Sequence, residues 1–336
     1  MLCLKTSCKI LQYQYTIFFG KSKWISKVFF VFFENLFLFS GIYDKMLEIG
    51  KARRKGGYAM TYSEICRRLS ASGIDNTEGE AARLLETFCG VSPEALLAAP
   101  AEQDYSSDAL EKALSKREAH YPLQYLLGEW EFYRQTYEVS ADCLIPRSDT
   151  EILVEEAIRR LPAGARFADL CTGSGCIAIS VLAERPDTTA LALDKFPRTL
   201  ALAERNARKN GVSDRFFPRL DDLLAPRAPL CDEPLDAILS NPPYIPTSTL
   251  PSLSPEVRCE PEAALDGGED GLTFYRALLF DYAKYLKADG FFLLEIGYDQ
   301  SEAVRLLARE SGFPVCRLLR DYGGQDRVLL LRRAEK

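Results

Sequence analysis

Histidine is nearly absent from this chain of 336 residues, since His120 is the only one. The ten cysteines are scattered and form no Cys-x-x-Cys pair. Zinc sites are usually built from closely spaced cysteines and histidines, so the sequence predicts no metal site. Scattered thiols without the spacing of a disulfide framework favour a reducing compartment, and we expect a cytoplasmic protein.

A long uninterrupted apolar run is also missing. The most apolar stretch, residues 28–43, contains Glu34 and Asn35, whereas a membrane-spanning helix needs about 20 apolar residues. No small-residue cleavage site of a signal peptide follows it. We therefore expect no membrane association. Residues 1–59 are rich in Phe and Lys, unlike the rest, and we interpret them as an atypical extension outside the fold, translated from an over-extended start site. A membrane anchor is the alternative.

Basic residues are scarce beyond that segment. Residues 60–336 carry 32 Lys and Arg against 45 Asp and Glu, a net charge of −13, although the whole chain has a net charge of −6. An acidic surface disfavours sequence-independent attraction to a phosphate backbone. We expect no stable binding to nucleic acid.

What the sequence does contain is a strand that ends in a rigid tetrapeptide. The apolar residues 235–240 predict a buried strand, and Asn241-Pro242-Pro243-Tyr244 follows directly. Each proline fixes its own φ near about −65° and restricts the residue before it. The side-chain oxygen of Asn241 and the carbonyl of Pro242 therefore form a pair of acceptors suited to an NH2 group. Such a group occurs on a base, a side-chain amide or a guanidine.

A glycine-rich turn lies upstream of the tetrapeptide. A predicted strand ends at Asp169-Leu170, and the loop Cys171-Thr172-Gly173-Ser174-Gly175 leads into an apolar helix. Glycines allow a tight turn, and the free N–H groups that open the helix can face the polar end of a ligand. Ala178 stands where a dinucleotide fingerprint has its third glycine, so that fingerprint is only partly met.

Acidic residues end the strands that follow. Asp194 ends the next predicted strand, about twenty residues beyond the glycines, where nucleotide-binding sheets place a carboxylate for ribose hydroxyls. Asp221 and Asp222 follow a predicted short strand at residues 215–217, near the expected position of an adenine.

Together these motifs resemble those of class I S-adenosylmethionine methyltransferases, and within them the peptide chain release factor glutamine methyltransferases. The resemblance runs from about Met60 to Arg332. Its further marks are residues 122–128, 144–151, 257–261 and 320–327. Three positions depart from the family pattern: Cys171 replaces a usual glycine, Ser148 replaces a frequent proline, and Asp222 stands where some members carry an aromatic residue.

The resemblance implies methyl transfer from S-adenosylmethionine to the amide nitrogen of glutamine in the Gly-Gly-Gln loop of release factors, giving N5-methylglutamine. It implies that Asn241, Pro242, Pro243 and Tyr244 bind the glutamine, with Asn241, Pro242 and Tyr244 as catalytic residues. The implied cofactor site comprises Asp169, Cys171, Thr172, Gly173, Ser174, Gly175, Asp194, Asp222 and Asn241. Methylation of an exocyclic amino group on a base and a non-enzymatic binding role are the alternatives.

The alternation of helices and strands beyond Arg147 predicts an α/β fold with a doubly wound, mostly parallel sheet. We predict four segments: the extension 1–59, a smaller helical domain for substrate docking at 60–128, a β-hairpin linker at 129–146, and the methyltransferase domain at 147–336. We also predict one helix over residues 272–286. A pairing of Arg258 with Glu260 is expected to order the long loop of residues 247–271.

Overall fold

Residues 59–334 are the part of the chain that the structure, a computed structural model, describes. The predicted extension lies outside that part except for its last residue, so both interpretations of it stay predictions. Thr61–Lys336 forms one structural unit. Among the described helices, none combines the length and hydropathy needed to cross a membrane.

Five short helices open the described chain, as the three- and four-residue spacing of apolar residues predicted. They are α1 (Tyr62–Ala71), α2 (Thr77–Cys89), α3 (Pro93–Ala98), α4 (Asp108–Glu118) and α5 (Leu123–Leu127). The first four begin after a residue whose side chain accepts a hydrogen bond from the third following N–H, namely Thr61, Asn76, Ser92 and Ser107. Such caps satisfy donors that a helix leaves free. Helices α1, α2 and α4 pack on one another through buried leucines.

An antiparallel hairpin follows at the predicted position. Strand β1 (Glu129–Phe132) pairs with β2 (Gln135–Glu138) across the two-residue turn of Tyr133 and Arg134. Both turn residues have positive φ, 45° and 72°, which is the backbone that joins tightly twisted strands. The N–H of Tyr133 donates to Glu151 Oε1 at 3.0 Å, so the turn is tied to the next helix.

The rest of the described chain forms a seven-stranded sheet with helices on both faces, which confirms the predicted fold class. Its elements are α6 (Glu151–Arg160), β3 (Arg166–Leu170), α7 (Cys176–Glu184), β4 (Thr189–Asp194), α8 (Pro197–Lys209), β5 (Phe216–Leu220), β6 (Leu235–Ser240), α9 (Thr273–Ala277), β7 (Leu286–Glu295), α10 (Ser301–Glu310), β8 (Val315–Arg320) and β9 (Asp326–Arg332). The strand order is β5-β4-β3-β6-β7-β9-β8. Strand β9 is antiparallel to both of its neighbours.

The order of the strands reverses between β3 and β6. From β3 the chain moves outward through β4 to β5, then returns to place β6 on the other side of β3. Ligands of such sheets bind beyond the carboxyl ends of the strands at this reversal. Asp169, Asp194 and Asn241 all lie at that edge, as predicted.

Two elements differ from the prediction. The prediction of a single helix over 272–286 is wrong. Helix α9 ends at Ala277, and a π-helical turn, Leu278–Tyr282, and a 3₁₀ turn, Ala283–Tyr285, follow it. The buried tyrosines of this segment are fixed by long-range bonds, with Tyr275 Oη donating to the Glu295 carbonyl and Tyr282 Oη to the Leu223 carbonyl. Strand β5 extends to Leu220 and includes Pro218, which an edge strand tolerates because its missing N–H costs no ladder bond.

Candidate active site

A cavity of about 350 Å³ opens at the carboxyl ends of β3, β4 and β6. Eight of the predicted site residues line it: Cys171, Thr172, Gly173, Ser174, Asp194, Asp222, Asn241 and Pro243. Asp169, Gly175, Pro242 and Tyr244 are not part of the lining. The structure therefore brings most of the glycine loop, the acids Asp194 and Asp222, and two residues of the tetrapeptide to one cavity.

The glycine loop turns through three residues with positive φ: Cys171 at 64°, Gly173 at 56° and Gly175 at 82°. A Cβ added at Gly173 would meet no protein atom within 4 Å, because this residue faces the open cavity. A Cβ at Gly175 would lie 2.7 Å from Ile179 Cδ1. Gly173 thus leaves room for a ligand close to the backbone, whereas Gly175 lets the loop pack on α7.

Cys171 adopts the left-handed backbone that glycine adopts without strain. Its position is one of the three where the sequence departs from the family pattern. Burial, together with the Asp194 and Asp169 carboxylates, raises the pKa of its thiol well above the usual value. The thiol is therefore protonated and a poor nucleophile.

Asp169 supports the loop from beneath. Its Oδ2 accepts hydrogen bonds from Thr172 Oγ1 at 2.7 Å and from the N–H of Ala178 at 3.2 Å. Its Oδ1 is buried without a hydrogen-bond partner among the described residues. Burial raises the pKa of this carboxyl to about 7.

Asp194 presents its carboxylate at the cavity wall. The N–H of Gly173 donates to Oδ2 and the N–H of Phe196 donates to Oδ1, each at 3.0 Å. Burial raises the pKa of Asp194, against the effect of these two bonds. A carboxylate oxygen can accept more than one hydrogen bond, so both oxygens of Asp194 can still accept from a ligand hydroxyl.

The neighbouring acids Asp221 and Asp222 have different surroundings. Asp221 is not part of the cavity lining. Its carboxylate accepts from the N–H groups of Asp222 and Arg227 and pairs with Arg219. Asp222 lines the cavity and pairs with Lys195, with 2.9 Å between Oδ2 and Nζ. Of the two, Asp222 is the residue that can touch a bound ligand.

Asn241 is connected to two residues that sequence reasoning missed. Its Nδ2 lies 3.3 Å from Thr150 Oγ1, and that hydroxyl lies 2.6 Å from Glu295 Oε2. Thr150 lines the cavity, and Glu295 is buried behind it at the end of β7. The only sequence signal for Glu295 is an acid at the end of an apolar strand, Phe291 to Leu294.

The backbone of Tyr244 is held on two sides. Gln300 Nε2 donates to its carbonyl at 2.8 Å, and a Cβ added at Gly267 would lie only 2.7 Å from its Cα. Burial raises the pKa of the Tyr244 hydroxyl to about 12, so the phenol is uncharged at neutral pH. The tetrapeptide is therefore fixed at both ends, by Asn241 and by Tyr244.

The predicted pairing of Arg258 with Glu260 is wrong. Glu260 is buried and pairs with Arg147 instead, while its Oε2 accepts from the N–H of Ile145 at 3.1 Å. Arg258 is exposed. Both oxygens of Glu260 thus join the long loop after β6 to the segment before α6, and both of these segments line the cavity.

Two family models match the chain. The methyltransferase small domain matches residues 148–252, and the PrmC N-terminal domain matches residues 61–128. The first covers the glycine loop, both strand-end acids and the tetrapeptide, and the second covers the five short helices.

Curated relatives match over most of their length. A release factor glutamine methyltransferase from Moorella thermoacetica is 42% identical over 278 residues, which are 81% of this chain and 97% of that protein. One from Geobacter sulfurreducens is 38% identical over 265 residues, 78% of this chain and 91% of that protein. Among solved structures, a release factor-specific protein-(glutamine-N5) methyltransferase from Alicyclobacillus acidocaldarius is 34% identical, with coverage of 59% of this chain and 100% of that chain and a TM-score of 0.35.

Proposed function

This chain belongs to the release factor glutamine methyltransferase family, and from that membership we propose that it methylates a glutamine side chain of peptide chain release factors. The methyl donor is S-adenosylmethionine, and the acceptor is the amide nitrogen of the glutamine in the Gly-Gly-Gln loop. The product is N5-methylglutamine. The reaction takes place where release factors act, in the cytoplasm.

One observation supports the proposal above the others. Asn241 lies on the wall of the same cavity as Gly173 and Asp194. A group that can accept from an NH2 is therefore next to a place where a nucleoside can bind. A binding module would need the nucleoside site or the amide site, but not both in one cavity.

The residues of this cavity fit S-adenosylmethionine. The open space over Gly173 admits a ligand against the backbone, and the Asp194 carboxylate can accept from two ribose hydroxyls. Asp222 and Leu223 line the adjoining wall, where the adenine is expected. The cofactor supplies a methyl group on a positively charged sulfur.

The tetrapeptide acts on the amide nitrogen. An amide nitrogen is a poor nucleophile because its lone pair is delocalised into the carbonyl. Asn241 Oδ1 and the carbonyl of Pro242 accept from its two N–H bonds, which orients the lone pair toward the methyl group. Pro243, which lines the cavity, limits the pocket to a planar amide, and the Tyr244 backbone next to it is held by Gln300. A proton leaves the nitrogen after transfer and passes to solvent.

The helices of residues 60–128 contribute a docking surface for the release factor. They are joined to the cavity by Arg117 of α4, which pairs with Glu256 in the long loop after β6 at 2.7 Å. A folded protein can therefore contact the helices while its glycine-flanked glutamine enters the cavity edge-on. The hairpin linker, residues 129–146, and the methyltransferase domain, residues 147–336, complete the proposed domain arrangement.

The proposal is tested by methyl transfer from labelled S-adenosylmethionine. Purified release factor, a release factor with the Gly-Gly-Gln glutamine replaced, DNA and RNA serve as acceptors in parallel. We expect label only on the unaltered release factor, with a mass increase of one methyl group at that glutamine. Label on the altered factor, or on nucleic acid alone, would refute the proposal and favour methylation of a base.

A further inference from the structure

We propose that Thr150 and Glu295 are positioning residues that hold the Asn241 side-chain amide with its oxygen toward the substrate. The inference rests on the proposed function, because it concerns how Asn241 receives the glutamine amide. Without such a constraint the two ends of an asparagine amide are nearly equivalent in shape. One end accepts from an NH2 group and the other repels it.

The three residues meet at the edge of the sheet although they are distant in sequence. Asn241 directly follows β6, Glu295 ends β7, and the adjacent pair Ser240 and Leu294 are in register between these strands. Thr150 ends the 3₁₀ turn Ser148–Thr150, which leads into α6. Thr150 and Glu295 are 2% and 1% exposed, so water does not replace their mutual contact.

The direction of the hydrogen bonds follows from the donors available. An ionised carboxylate only accepts, so the Thr150 hydroxyl donates its single hydrogen to Glu295 Oε2. Thr150 Oγ1 can then only accept, and the group of Asn241 that can donate to it is Nδ2. The assignment of the amide thus follows from its partners. It places Oδ1 on the opposite side, toward the cavity that Asn241 lines.

Protonation of Glu295 would undo this arrangement. A protonated Glu295 can donate to Thr150 Oγ1, which frees the threonine hydrogen to donate to Asn241. The Asn241 amide is then more stable when reversed, because its Oδ1 can accept from the Thr150 hydroxyl. The reversed amide presents Nδ2 to the N–H groups of the substrate. The reversed amide cannot accept from the glutamine, so turnover stops in that state.

The surroundings of Glu295 place this change near neutral pH. Burial raises its pKa to about 7, against the Thr150 hydrogen bond and the positive charge of Arg327. The ionisable groups that face it are Arg327 of β9, Asp149 and Arg147 before α6, Tyr244 after β6, Tyr275 of α9 and Cys176 of α7. Turnover is therefore expected to fall as the pH decreases through about 7.

The first test compares two substitutions of Thr150. Thr150→Val removes the hydroxyl at nearly constant shape, and we expect kcat to fall about 10- to 100-fold with little change in cofactor affinity. Thr150→Ser keeps the hydroxyl and should recover most of that loss. Thr188→Val is the matched control, because Thr188 is a buried threonine whose Oγ1 donates to the Arg185 carbonyl at the opposite edge of the sheet. Equal kcat in Thr150→Val and Thr188→Val would overturn the inference.

The second test removes the titration. Glu295→Gln cannot ionise, so we expect the inflection near pH 7 to disappear and kcat to be constant across that range, at a lower value if the NH2 of the new amide rather than its oxygen faces Thr150. An unchanged inflection in this variant would contradict the inference.

A measurement on the side chain itself separates this inference from the proposed function. The chain has five asparagines, so ¹⁵N-asparagine labelling gives few side-chain signals, and Asn241→Ala identifies the one that matters. The Asn241 NH2 signals should titrate near pH 7, shift in Thr150→Val and lose the titration in Glu295→Gln. If these signals change neither with pH nor in Thr150→Val, the positioning role of Thr150 and Glu295 is overturned even if the release factor is methylated. Absence of methylation by the wild-type enzyme would instead overturn the proposed function. The Asn241 signals would still show whether Thr150 and Glu295 orient the amide.

Discussion

Arg117 of α4 and Glu256 of the loop after β6 form an ion pair, with 2.7 Å between Nη2 and Oε1. The Arg117 side chain is only 4% exposed, and its Nε also lies 2.6 Å from Glu80 Oε2. One buried guanidinium therefore joins two helices of the N-terminal region to a loop that lines the cavity. Changes at this site are expected to affect docking and turnover of the protein substrate together.

Arg117→Met keeps the apolar stem but leaves Glu80 and Glu256 without their partner. We expect the free energy of unfolding to fall by about 1–3 kcal/mol, because breaking a buried pair costs more than breaking an exposed one. KM for release factor should rise, whereas the dissociation constant of S-adenosylmethionine should not change. Urea unfolding, steady-state kinetics and calorimetry measure the three quantities.

Arg67→Met is the matched control for that change. Arg67 pairs with Glu64 on α1, but its side chain is 65% exposed, so little effect is expected. If both variants raise KM equally, the charge of the helical region matters and the Arg117 contact does not.

Asp194→Ala tests the ribose contact. It removes the carboxylate while sparing the tetrapeptide, and we expect cofactor affinity to fall about 10- to 100-fold, with water partly replacing the lost acceptor. Asp214→Ala, in an exposed turn before β5, is the charge-matched control. Calorimetry measures the affinity of both variants for S-adenosylmethionine. Unchanged affinity in Asp194→Ala would show that Asp194 is not part of the cofactor site.

Cys171 carries a measurable conformational cost. Cys171→Val places a β-branched residue at a φ of 64°, so we expect a loss of about 2 kcal/mol of stability. Cys171→Gly relieves the strain but makes the unfolded chain more flexible, so the net change should lie within about 1 kcal/mol and activity should persist. Cys66→Val on α1 is the control at an ordinary helical residue. Equal urea midpoints for the two valine variants would show that the backbone at Cys171 is not strained.

The buried acids predict how stability depends on pH. Asp169 and Glu295 have pKa values raised by burial to about 7, against about 4 in an unfolded chain. The folded state then holds these protons more tightly, so the stabilisation is complete below about pH 4 and is lost as the pH rises through 7. We expect the ligand-free protein to be roughly 1–3 kcal/mol less stable at pH 8 than at pH 6.

Urea unfolding at the two pH values measures this difference. Asp169→Asn and Glu295→Gln should each reduce it. Asp187→Asn should leave it unchanged, because the hydrogen bond from Arg185 holds the pKa of that exposed carboxyl below its usual range. Stability that is constant or increases from pH 6 to pH 8 would contradict the assignment.

Much of the site was predictable because its residues follow strands directly. Asp194 ends β4, Asn241 follows β6 and the glycine loop follows β3, and the carboxyl ends of parallel strands share one edge. Hydrophobic strands with polar residues at their ends were therefore sufficient to place these groups together.

The contacts that orient these residues could not be predicted in the same way. Thr150 and Glu295 are 145 residues apart, and Arg147 and Glu260 are 113 apart. A partner close in sequence was the natural expectation for Glu260, but the irregular loop turns Arg258 outward and Glu260 inward. Such pairs form only when segments distant in sequence pack together, so no local sequence pattern indicates them.

The role of Asn241 as the acceptor that aims the glutamine nitrogen is tested most directly by Asn241→Ala. Mass spectrometry of release factor after timed incubation with enzyme and S-adenosylmethionine gives kcat, and calorimetry gives cofactor affinity on the same preparation. We expect kcat to fall by about 10² to 10³ with folding and cofactor affinity retained. A variant that methylates the glutamine within about threefold of the wild-type rate would contradict this role.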